Sequence, residues 1–522
     1  MNEAMSRHWN EVRRHEAARD LHAAKAAYEA LLALDPMQIV PRLRLSRFAQ
    51  QADSYVESRA HALEAARIAI ETHAIKDVGF VSLRLLAFAE DGEILRLIQA
   101  LDWSDPGILS QAAVLAQHLW LIGEHEKTLE FLAHAATRVR PNHLLSYTRA
   151  NVLRSLGRLE EASEHYEYAL QLSPHDAYVH RSLAYHQRAR PAGARVPRIR
   201  AARQHHPGDS WEQAQLCYAL FNELDGMDDS EAAWDALQEG ARLMRGKLRH
   251  DREAEARALQ RLQRSEMPVR APSVSNDAAP TPIFIVGMPR TGTTLLDRVM
   301  GNHPGIVSVG ERNDFDAAVS QVSDHFYQGG LKETDWRKLE GIDFSKVGEI
   351  YLGRLARLAG GSRYFIDKNP HNFFNTGLIL RALPQARIVC LRRDPMDACF
   401  SNLKELFEGG AFPYSYAFAD LAAHQRGFTA LLHHWLALAP DSVHVVDYEA
   451  LVRQGDDTLR EVMDFCRLEV APGMLDITAN ATPVSTASSS QVRQPINDRS
   501  IGAWKRYAPQ LEPLRAMLEG QA

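Results

Sequence analysis

A short apolar run followed by a glycine-bounded loop limits the fold of this chain more than any other feature. Residues 282–300 read PIFIVGMPRTGTTLLDRVM, in which an apolar run ends at Gly287 and a helical pattern starts near Thr293. A strand, glycine, four residues, glycine and a helix form a phosphate-binding loop, whose backbone N–H groups face an oxyanion. The Lys of the pattern G-x-x-x-x-G-K-[ST] is absent, because Thr293 occupies its place. The loop therefore predicts an α/β domain that binds a phosphorylated ligand other than a nucleoside triphosphate.

Short apolar runs alternate with helical stretches after this loop. The runs cover residues 283–286, 306–309, 364–366, 388–391 and 443–446. Continuous apolar runs separated by helices are typical of a parallel sheet that is buried on both faces. Ligands of such sheets lie beyond the carboxyl ends of the strands.

Charged or aromatic residues closely follow these runs, namely Arg290, Glu311, Lys368, Arg393 and Tyr448. Because the carboxyl ends of parallel strands meet at one edge of the sheet, we predict that these side chains share a site for an anionic ligand. A charge-assisted hydrogen bond contributes about 1.5–3 kcal/mol, against about 0.3–1 kcal/mol for a helix dipole. We therefore expect Arg290 to contribute most within the loop.

Each of these charged residues also has a simpler interpretation. Arg393 can form a structural ion pair with Asp394 or Asp397. Glu311 can pair with the arginine that follows it, and Lys368 can be a solvated charge at the end of its strand. The residue types alone leave both interpretations open.

Residues 1–264 contain helical patterns with a repeat. GEHEKTLEFLAHAATRVRP at Gly123 aligns with GRLEEASEHYEYALQLSP at Gly157, at an offset of 34 residues. The second copy has the glycine, alanine, tyrosine and proline spacing of a tetratricopeptide repeat (TPR), and residues 108–190 match it best. This half therefore resembles a TPR solenoid, although a generic helical bundle is the alternative. Such arrays present a concave surface to a peptide or protein.

Composition indicates a multidomain globular protein. The segment at 265–281 is rich in Pro, Ser and Ala and reads as a linker, which gives domains at 1–264 and 282–522. The net charge of −6 gives no indication of nucleic acid or of an anionic membrane as a partner. No apolar run is long enough to span a bilayer, and the first residues lack the apolar core of a secretory signal, so we expect a cytoplasmic protein. Four scattered cysteines do not form the pattern of a disulfide framework or a zinc site.

Several motifs of the second half resemble those of sulfotransferases. GMPRTGTTLLDRVMGNHP resembles the 5′-phosphosulfate loop of enzymes that use 3′-phosphoadenosine 5′-phosphosulfate (PAPS), and LRRDPMDACFS resembles their 3′-phosphate motif. With GER, DKNPHNFF, VVDYEALV, TASSSQVRQPI and IGAWKRY, residues 280–518 are similar to tyrosylprotein sulfotransferases and bacterial TPR-sulfotransferases. The resemblance implies an all-α TPR-like solenoid followed by a P-loop-type, three-layer α/β sulfotransferase domain with a parallel sheet.

The resemblance also implies which residues bind PAPS as co-substrate. The residues that would hold the 5′-phosphosulfate are Arg290, Thr291, Gly292, Thr293 and Thr294. Arg393 and Ser401 would hold the 3′-phosphate. Tyr448 would lie at the adenine end, and Ser488 would reach the sulfonate. The C-terminal lysine of the family pattern is displaced by about two positions, so either Lys505 or Arg506 would complete the 3′-phosphate pocket.

The implied reaction is in-line transfer of a sulfonate from PAPS to an acceptor oxygen or nitrogen, which leaves 3′-phosphoadenosine 5′-phosphate (PAP) as product. Glu311 matches the general base, although the tyrosylprotein enzymes have a Glu-Glu pair where this chain has Glu311-Arg312. Lys368 matches a cation near the leaving oxygen, and Arg290 and Ser488 would also stabilise the developing charge. The scheme requires no metal.

The acceptor is not specified by these motifs. The TPR-like half favours a peptide or protein acceptor, with tyrosine among the candidates, but such arrays also mediate homo-oligomerisation. A small molecule or a glycan also fits. Two other functions remain alternatives: a P-loop nucleotide kinase, and a TPR scaffold whose sulfotransferase-like domain is inactive.

Overall fold

The first half of the protein is helical in the computed structural model, which describes residues 3–187, 189, 191–264, 280–333, 335–484, 489 and 491–520. The helices before residue 265 are α1 (Glu3–Ala17), α2 (Leu21–Leu34), α3 (Ile39–Gln51), α4 (Tyr55–Glu71), α5 (Val78–Leu86), α6 (Asp91–Gln99), α7 (Pro106–Leu109), α8 (Ala112–Leu121), α9 (His125–Ala136), α10 (His143–Ser155), α11 (Leu159–Leu172), α12 (Ala177–His186), α13 (Val196–Arg203), α14 (Trp211–Gly226), α15 (Ser230–Lys247) and α16 (Arg252–Arg264). Some begin at side-chain caps, since Asp176 and Ser210 accept hydrogen bonds from N–H groups in the first turns of α12 and α14.

The repeat residues lie where the 34-residue period predicts them. Ala162, Tyr166 and Ala169 of α11 are fully buried. Gly157, between α10 and α11, has a φ of +80°, and a Cβ atom there would lie 2.9 Å from Nε of Arg493. This glycine therefore adopts a left-handed turn and also leaves room for an arginine of the C-terminal segment. The expectation of an N-terminal TPR-like helical region is confirmed.

The elements after the linker alternate strands with helices. They are β1 (Thr281–Gly287), α17 (Thr293–Met300), β2 (Ile306–Ser308), α18 (Asp314–Ser323), α19 (Phe344–Ala359), β3 (Tyr364–Lys368), α20 (Thr376–Ala382), β4 (Arg387–Arg392), α21 (Pro395–Leu403), α22 (Phe418–Leu438), β5 (Val443–Asp447), α23 (Tyr448–Arg453), α24 (Gly455–Cys466) and α25 (Ala508–Leu518). All the apolar runs singled out in the sequence are strands.

Within the described residues the strands form one parallel sheet in the order β2-β3-β1-β4-β5. The central strand β1 is apolar on both faces. Ile283 and Ile285 join a buried cluster with side chains of α17 and α24, whereas the Phe284 ring stacks on Tyr351 of α19 with the ring centroids 5.6 Å apart. Helices therefore cover both faces of the sheet, which confirms the predicted three-layer α/β fold.

The chain forms two compact units, whose limits differ from the domains at 1–264 and 282–522 that the sequence predicts. The first unit comprises Met1–Val152, Asn313–Tyr327 and Asp335–Asp343, and the second unit comprises Leu153–Arg312, Gln328–Thr334 and Phe344–Ala522. Helices α11–α16 thus belong to the same unit as the sheet. The predicted domain limits stay a prediction, and most of the predicted linker, residues 265–279, lies outside the described residues.

In the first unit, part of the segment after β2 packs on the early helices. The Phe326 ring contacts Tyr55 with the centroids 5.1 Å apart, and Nδ1 of His325 lies 2.6 Å from the Asp53 carboxylate. In the part of the chain that the structure describes, no helix is long and apolar enough to cross a membrane.

Candidate active site

Two glycines shape the loop between β1 and α17. Gly287 has a φ of +150°, and a Cβ atom there would lie 2.7 Å from the carbonyl oxygen of Leu391 on β4. Gly292 has a φ of +102°, and a Cβ atom there would overlap the ring of Tyr448. Both positions therefore exclude a side chain, which brings the loop close to β4 and to the start of α23.

The loop is held from the neighbouring strand end. Arg290 has a left-handed φ of +66°, and its carbonyl oxygen accepts a hydrogen bond of 3.0 Å from Nη1 of Arg393. The carbonyl oxygen of Pro289 accepts a hydrogen bond of 2.7 Å from Nδ2 of the fully buried Asn402. A non-glycine residue at positive φ requires such support, because the conformation is sparsely populated. The loop conformation thus depends on β4 and α21.

The three threonines of the loop are buried. The Thr291 hydroxyl donates a hydrogen bond of 2.7 Å to the carbonyl oxygen of Met288, so it closes the loop on itself. Thr293 and Thr294 form the first turn of α17, and the N-terminal end of a helix is a place where main-chain N–H groups bind anions. The predicted loop residues Arg290 to Thr294 therefore all lie at the carboxyl end of the central strand.

The Arg290 side chain, which is 9% exposed, contacts a buried carboxylate. Its Nε lies 3.8 Å from Oε2 of Glu405, a side chain that is 3% exposed. The same Glu405 oxygen accepts a hydrogen bond of 2.6 Å from the hydroxyl of Tyr185 on α12. Burial lowers the pKa of Arg290, but the nearby Tyr185 and Glu405 outweigh this effect and raise the pKa overall. Arg290 therefore keeps its charge in a buried position.

Arg393 and Tyr448 lie side by side. The Arg393 guanidinium carbon is 4.7 Å from the centroid of the Tyr448 ring. One guanidinium nitrogen of Arg393 donates to the carbonyl oxygen of Ser500, and the Tyr448 hydroxyl lies 2.6 Å from the Ser500 Oγ. Burial lowers the pKa of Arg393, which is 7% exposed. Ser401 is also buried, on the helix that begins just after Arg393 and next to the loop-binding Asn402.

The two aspartates after Arg393 bind main-chain groups. Asp394 caps α21 by accepting a hydrogen bond of 3.0 Å from the N–H of Asp397. Asp397 accepts hydrogen bonds from the N–H groups of Gly502, at 2.6 Å, and Trp504, at 3.3 Å. These aspartates fix the C-terminal segment beside the loop. A structural ion pair of Arg393 with them is absent within the described residues.

Glu311 and Lys368 form an ion pair at the ends of β2 and β3. The Lys368 side chain is 2% exposed, whereas the Glu311 side chain is 47% exposed. The interpretation of Lys368 as a solvated charge is therefore wrong. The pair leaves a carboxylate open to an incoming ligand on one side, with a buried ammonium group behind it.

The C-terminal candidates differ in their contacts. Arg506 pairs with Asp225, at 3.4 Å, and with Asp228, at 3.0 Å. Lys505 is exposed and its side chain passes over Gly502. Ser488 lies outside the described residues. Of the two cations, Lys505 is the one whose charge the described carboxylates leave uncompensated.

Sequence reasoning missed three groups near Arg290. They are Asn402, which binds the Pro289 carbonyl, Lys404, and Glu405, which contacts the Arg290 side chain. All three lie within four residues of the predicted Ser401, and this adjacency was the available signal. Burial and the neighbouring Arg290 lower the pKa of Lys404 to about 8. The contact of Tyr185 with Glu405 spans 220 residues, and no local pattern indicates it.

Two segments of the chain match known family models. Residues 282–472 match the model of the sulfotransferase family, and residues 150–187 match a TPR repeat model. A protein of Aquifex aeolicus with no assigned function is 26% identical over 411 residues, which cover 76% of this chain and 54% of that protein. This chain thus spans about half the length of the Aquifex relative.

Two further similarities concern the sulfotransferase half. Protein-tyrosine sulfotransferase 2 of Gallus gallus is 21% identical over 237 residues, which cover 44% of this chain and 64% of that protein. The solved sulfotransferase domain from the curacin biosynthetic pathway is 16% identical and covers 45% of this chain and 98% of that domain, with a TM-score of 0.27. A TM-score this low supports no conclusion, and the fold rests on the sheet topology of the chain itself. The chain therefore carries a sulfotransferase family domain at residues 282–472 and a TPR repeat at residues 150–187.

Proposed function

We propose that the protein transfers the sulfonate of PAPS to a hydroxyl or amine acceptor and releases PAP. The observation that carries this proposal is the pair of buried arginines Arg290 and Arg393 at the carboxyl edge of the sheet, where Nη1 of Arg393 donates a hydrogen bond of 3.0 Å to the Arg290 carbonyl oxygen. Glu405 is the carboxylate in contact with Arg290. Two guanidinium groups at this edge fit a ligand with two separate anionic groups.

The donor residues divide between these anionic groups. Residues 290–294 would bind the 5′-phosphosulfate through the guanidinium, the hydroxyls and the start of α17. Arg393 and Ser401 would bind the 3′-phosphate, with Lys505 rather than Arg506 as the third group, because Arg506 already pairs with two aspartates. Tyr448 would contact the adenine end. PAPS supplies the sulfonate that is transferred.

Glu311 would act as the general base for the acceptor. As the acceptor oxygen or nitrogen forms its bond to sulfur, the bond from sulfur to the bridging oxygen breaks and the acceptor proton passes to Glu311. The Lys368 ammonium group stabilises the Glu311 carboxylate before transfer and the charge on the bridging oxygen during transfer. Arg290 and Ser488 would stabilise the sulfonate charge. Proton removal contributes about 10²–10⁴-fold to the rate.

We propose a peptide or protein tyrosine as the first acceptor to test. The TPR repeat at 150–187 supports a protein partner, and relatives over the catalytic half carry the name protein-tyrosine sulfotransferase. A small hydroxylated compound or a glycan would use the same base and the same donor site.

Ligand-induced stabilisation tests the donor. PAP at about 100 times its Kd should raise the free energy of unfolding by about 2.7 kcal/mol, because it binds only the folded protein. ATP with Mg²⁺ is expected to give no comparable stabilisation, since Thr293 occupies the place of the triphosphate-binding lysine. Stabilisation by ATP with Mg²⁺ but not by PAP would support the kinase alternative instead.

A Glu311→Gln variant tests the chemistry. It should keep its affinity for PAP and lose at least 100-fold in transfer of ³⁵S from labelled PAPS to a tyrosine peptide or to proteins of a cell extract. The matched control is Glu461→Gln, which removes the charge of an exposed glutamate on α24. This variant should transfer label as the wild type does. Full activity of Glu311→Gln would remove this residue from the base role, and binding of PAP without any transfer by the wild type would support the inactive scaffold.

A further inference from the structure

Tyr185 of helix α12 is connected through Glu405 to Arg290 in the loop between β1 and α17. The Tyr185 hydroxyl donates a hydrogen bond of 2.6 Å to Oε2 of Glu405, and the same oxygen lies 3.8 Å from Nε of Arg290. All three residues belong to the second compact unit. A helix that precedes the catalytic half in sequence thus contributes a side chain next to the phosphosulfate loop.

The environment of Glu405 indicates a specific role for this contact. A carboxylate that is only 3% exposed requires partners, because burial of an unpaired charge is costly. The main chain of Arg290 is fixed by Arg393, but its long side chain has several rotamers that Glu405 restricts. The Tyr185 hydroxyl in turn restricts Glu405, since the hydrogen bond fixes the orientation of its carboxylate.

We propose that Tyr185 and Glu405 are positioning residues that orient the Arg290 guanidinium toward the 5′-phosphosulfate of the donor, whose phosphate remains in PAP, so that helix α12 is part of the donor site. This inference rests on the proposed function, because it assumes that Arg290 binds the donor. It adds that the repeat region serves donor binding as well as any protein acceptor. Helix α12 is then required for turnover even of an acceptor that makes no contact with the repeats.

Removal of one hydroxyl tests the inference in the full-length protein. Tyr185→Phe should weaken PAP binding about tenfold in isothermal titration calorimetry and lower kcat for PAPS, because Arg290 loses its preferred orientation. The matched control is Tyr218→Phe on α14. The Tyr218 hydroxyl donates a hydrogen bond of 2.9 Å to the main-chain carbonyl of Leu403, two residues before Glu405. Among the described residues, no hydrogen bond joins Tyr218 to Glu405 or to Arg290. The PAP affinity of Tyr218→Phe should therefore stay within about twofold of that of the wild type.

A double-mutant cycle separates positioning from simple loss of stability. Arg290→Lys keeps a cation but loses the planar guanidinium that Glu405 orients. If Tyr185 acts through Arg290, adding Tyr185→Phe to Arg290→Lys should change PAP affinity by less than about twofold, whereas independent effects would multiply. Glu405→Gln tests the same inference by changing the residue that contacts Arg290 directly. The amide oxygen keeps an acceptor for Tyr185 but removes the charge, so a loss of PAP affinity of about tenfold is again expected.

The outcomes distinguish this inference from the proposed function. If the wild type fails to bind PAP, the proposed function is wrong and Tyr185 has no donor site to serve. If the wild type binds PAP and Tyr185→Phe matches Tyr218→Phe, or its effect multiplies with that of Arg290→Lys, the inference is overturned while the proposed function stands. Should Tyr185→Phe fail to fold, unchanged PAP affinity in Glu405→Gln would overturn the inference in the same way.

Discussion

A single methyl group at Gly292 should damage both the stability and the donor site of this protein. The residue has a φ of +102°, and a Cβ atom there would overlap the ring of Tyr448. That ring lies under the Arg393 guanidinium, and its hydroxyl contacts Ser500. Gly292→Ala therefore forces either the loop or the Tyr448 ring out of place.

The expected loss of stability follows from two contributions. An alanine at this positive φ costs about 1–3 kcal/mol in backbone strain. Inserting a carbon atom into a close-packed contact costs about 1–3 kcal/mol more. Together they should lower the free energy of unfolding by about 2–6 kcal/mol. PAP affinity should fall at least about tenfold, because Tyr448 and Arg393 move together.

Urea unfolding and calorimetric titration with PAP measure these two effects. The matched control is Gly353→Ala on α19, where φ is helical and no atom beyond the neighbouring backbone of the same helix lies within 4 Å of the added carbon. The same chemical change there should raise the free energy of unfolding by about 0.5–1 kcal/mol and leave PAP binding intact. If Gly292→Ala unfolds and binds PAP as Gly353→Ala does, the close approach of the loop to Tyr448 is refuted.

Three other perturbations address the charged groups. Arg393→Lys should weaken PAP binding about 30- to 100-fold in calorimetry, since a lysine cannot replace the planar donor fork. The control is Arg392→Lys, which changes an exposed arginine that pairs with Asp447 and should alter PAP binding by less than about twofold. Lys368→Met should lower kcat for ³⁵S transfer by about 10²–10³-fold and change the Kd for PAP by less than about threefold; a parallel loss of binding would contradict a role in the transfer step. Burial lowers the pKa of Lys404 to about 8 from an ordinary value of 10.5. Between pH 8 and pH 10.5 the lysine therefore carries a proton in the unfolded chain but not in the folded one. The contribution of Lys404 to the free energy of unfolding consequently rises with pH over this range. Urea unfolding from pH 7.5 to pH 10.5 should show a smaller rise in Lys404→Met, and equal rises would show that the lysine titrates normally.

The strands of this protein could be predicted because their signal is local. Ile283, Phe284 and Ile285 all face packed helices, so the run is apolar without alternation. The residues just beyond such runs could be placed at one edge by the geometry of parallel strands alone, which brought Arg290 and Arg393 together correctly. The motif resemblance then suggested the chemistry that is proposed for these residues.

The rest could not be predicted because it depends on contacts between distant segments. Tyr185 resembles any aromatic residue of a repeat helix, and its partner Glu405 lies 220 residues away. Residues 313–327 belong to the same unit as the first helices, through contacts such as that of Phe326 with Tyr55. The sequence around Phe326 carries no repeat pattern that would indicate this packing. Long-range packing of this kind is specified by side-chain shape rather than by periodicity.

The contact between Gly157 and Arg493 has a consequence for synthesis of the chain. Arg493 donates to the carbonyl oxygen of Ser155 at 2.9 Å, across a separation of 338 residues, and the N–H of Val484 donates to the same oxygen. At the usual elongation rate, the ribosome needs about 20–70 s to traverse that separation. The corner between α10 and α11 therefore stays incomplete while nearly all of the catalytic half is made. A nascent chain paused before residue 484 should expose this corner to a protease that the finished protein resists.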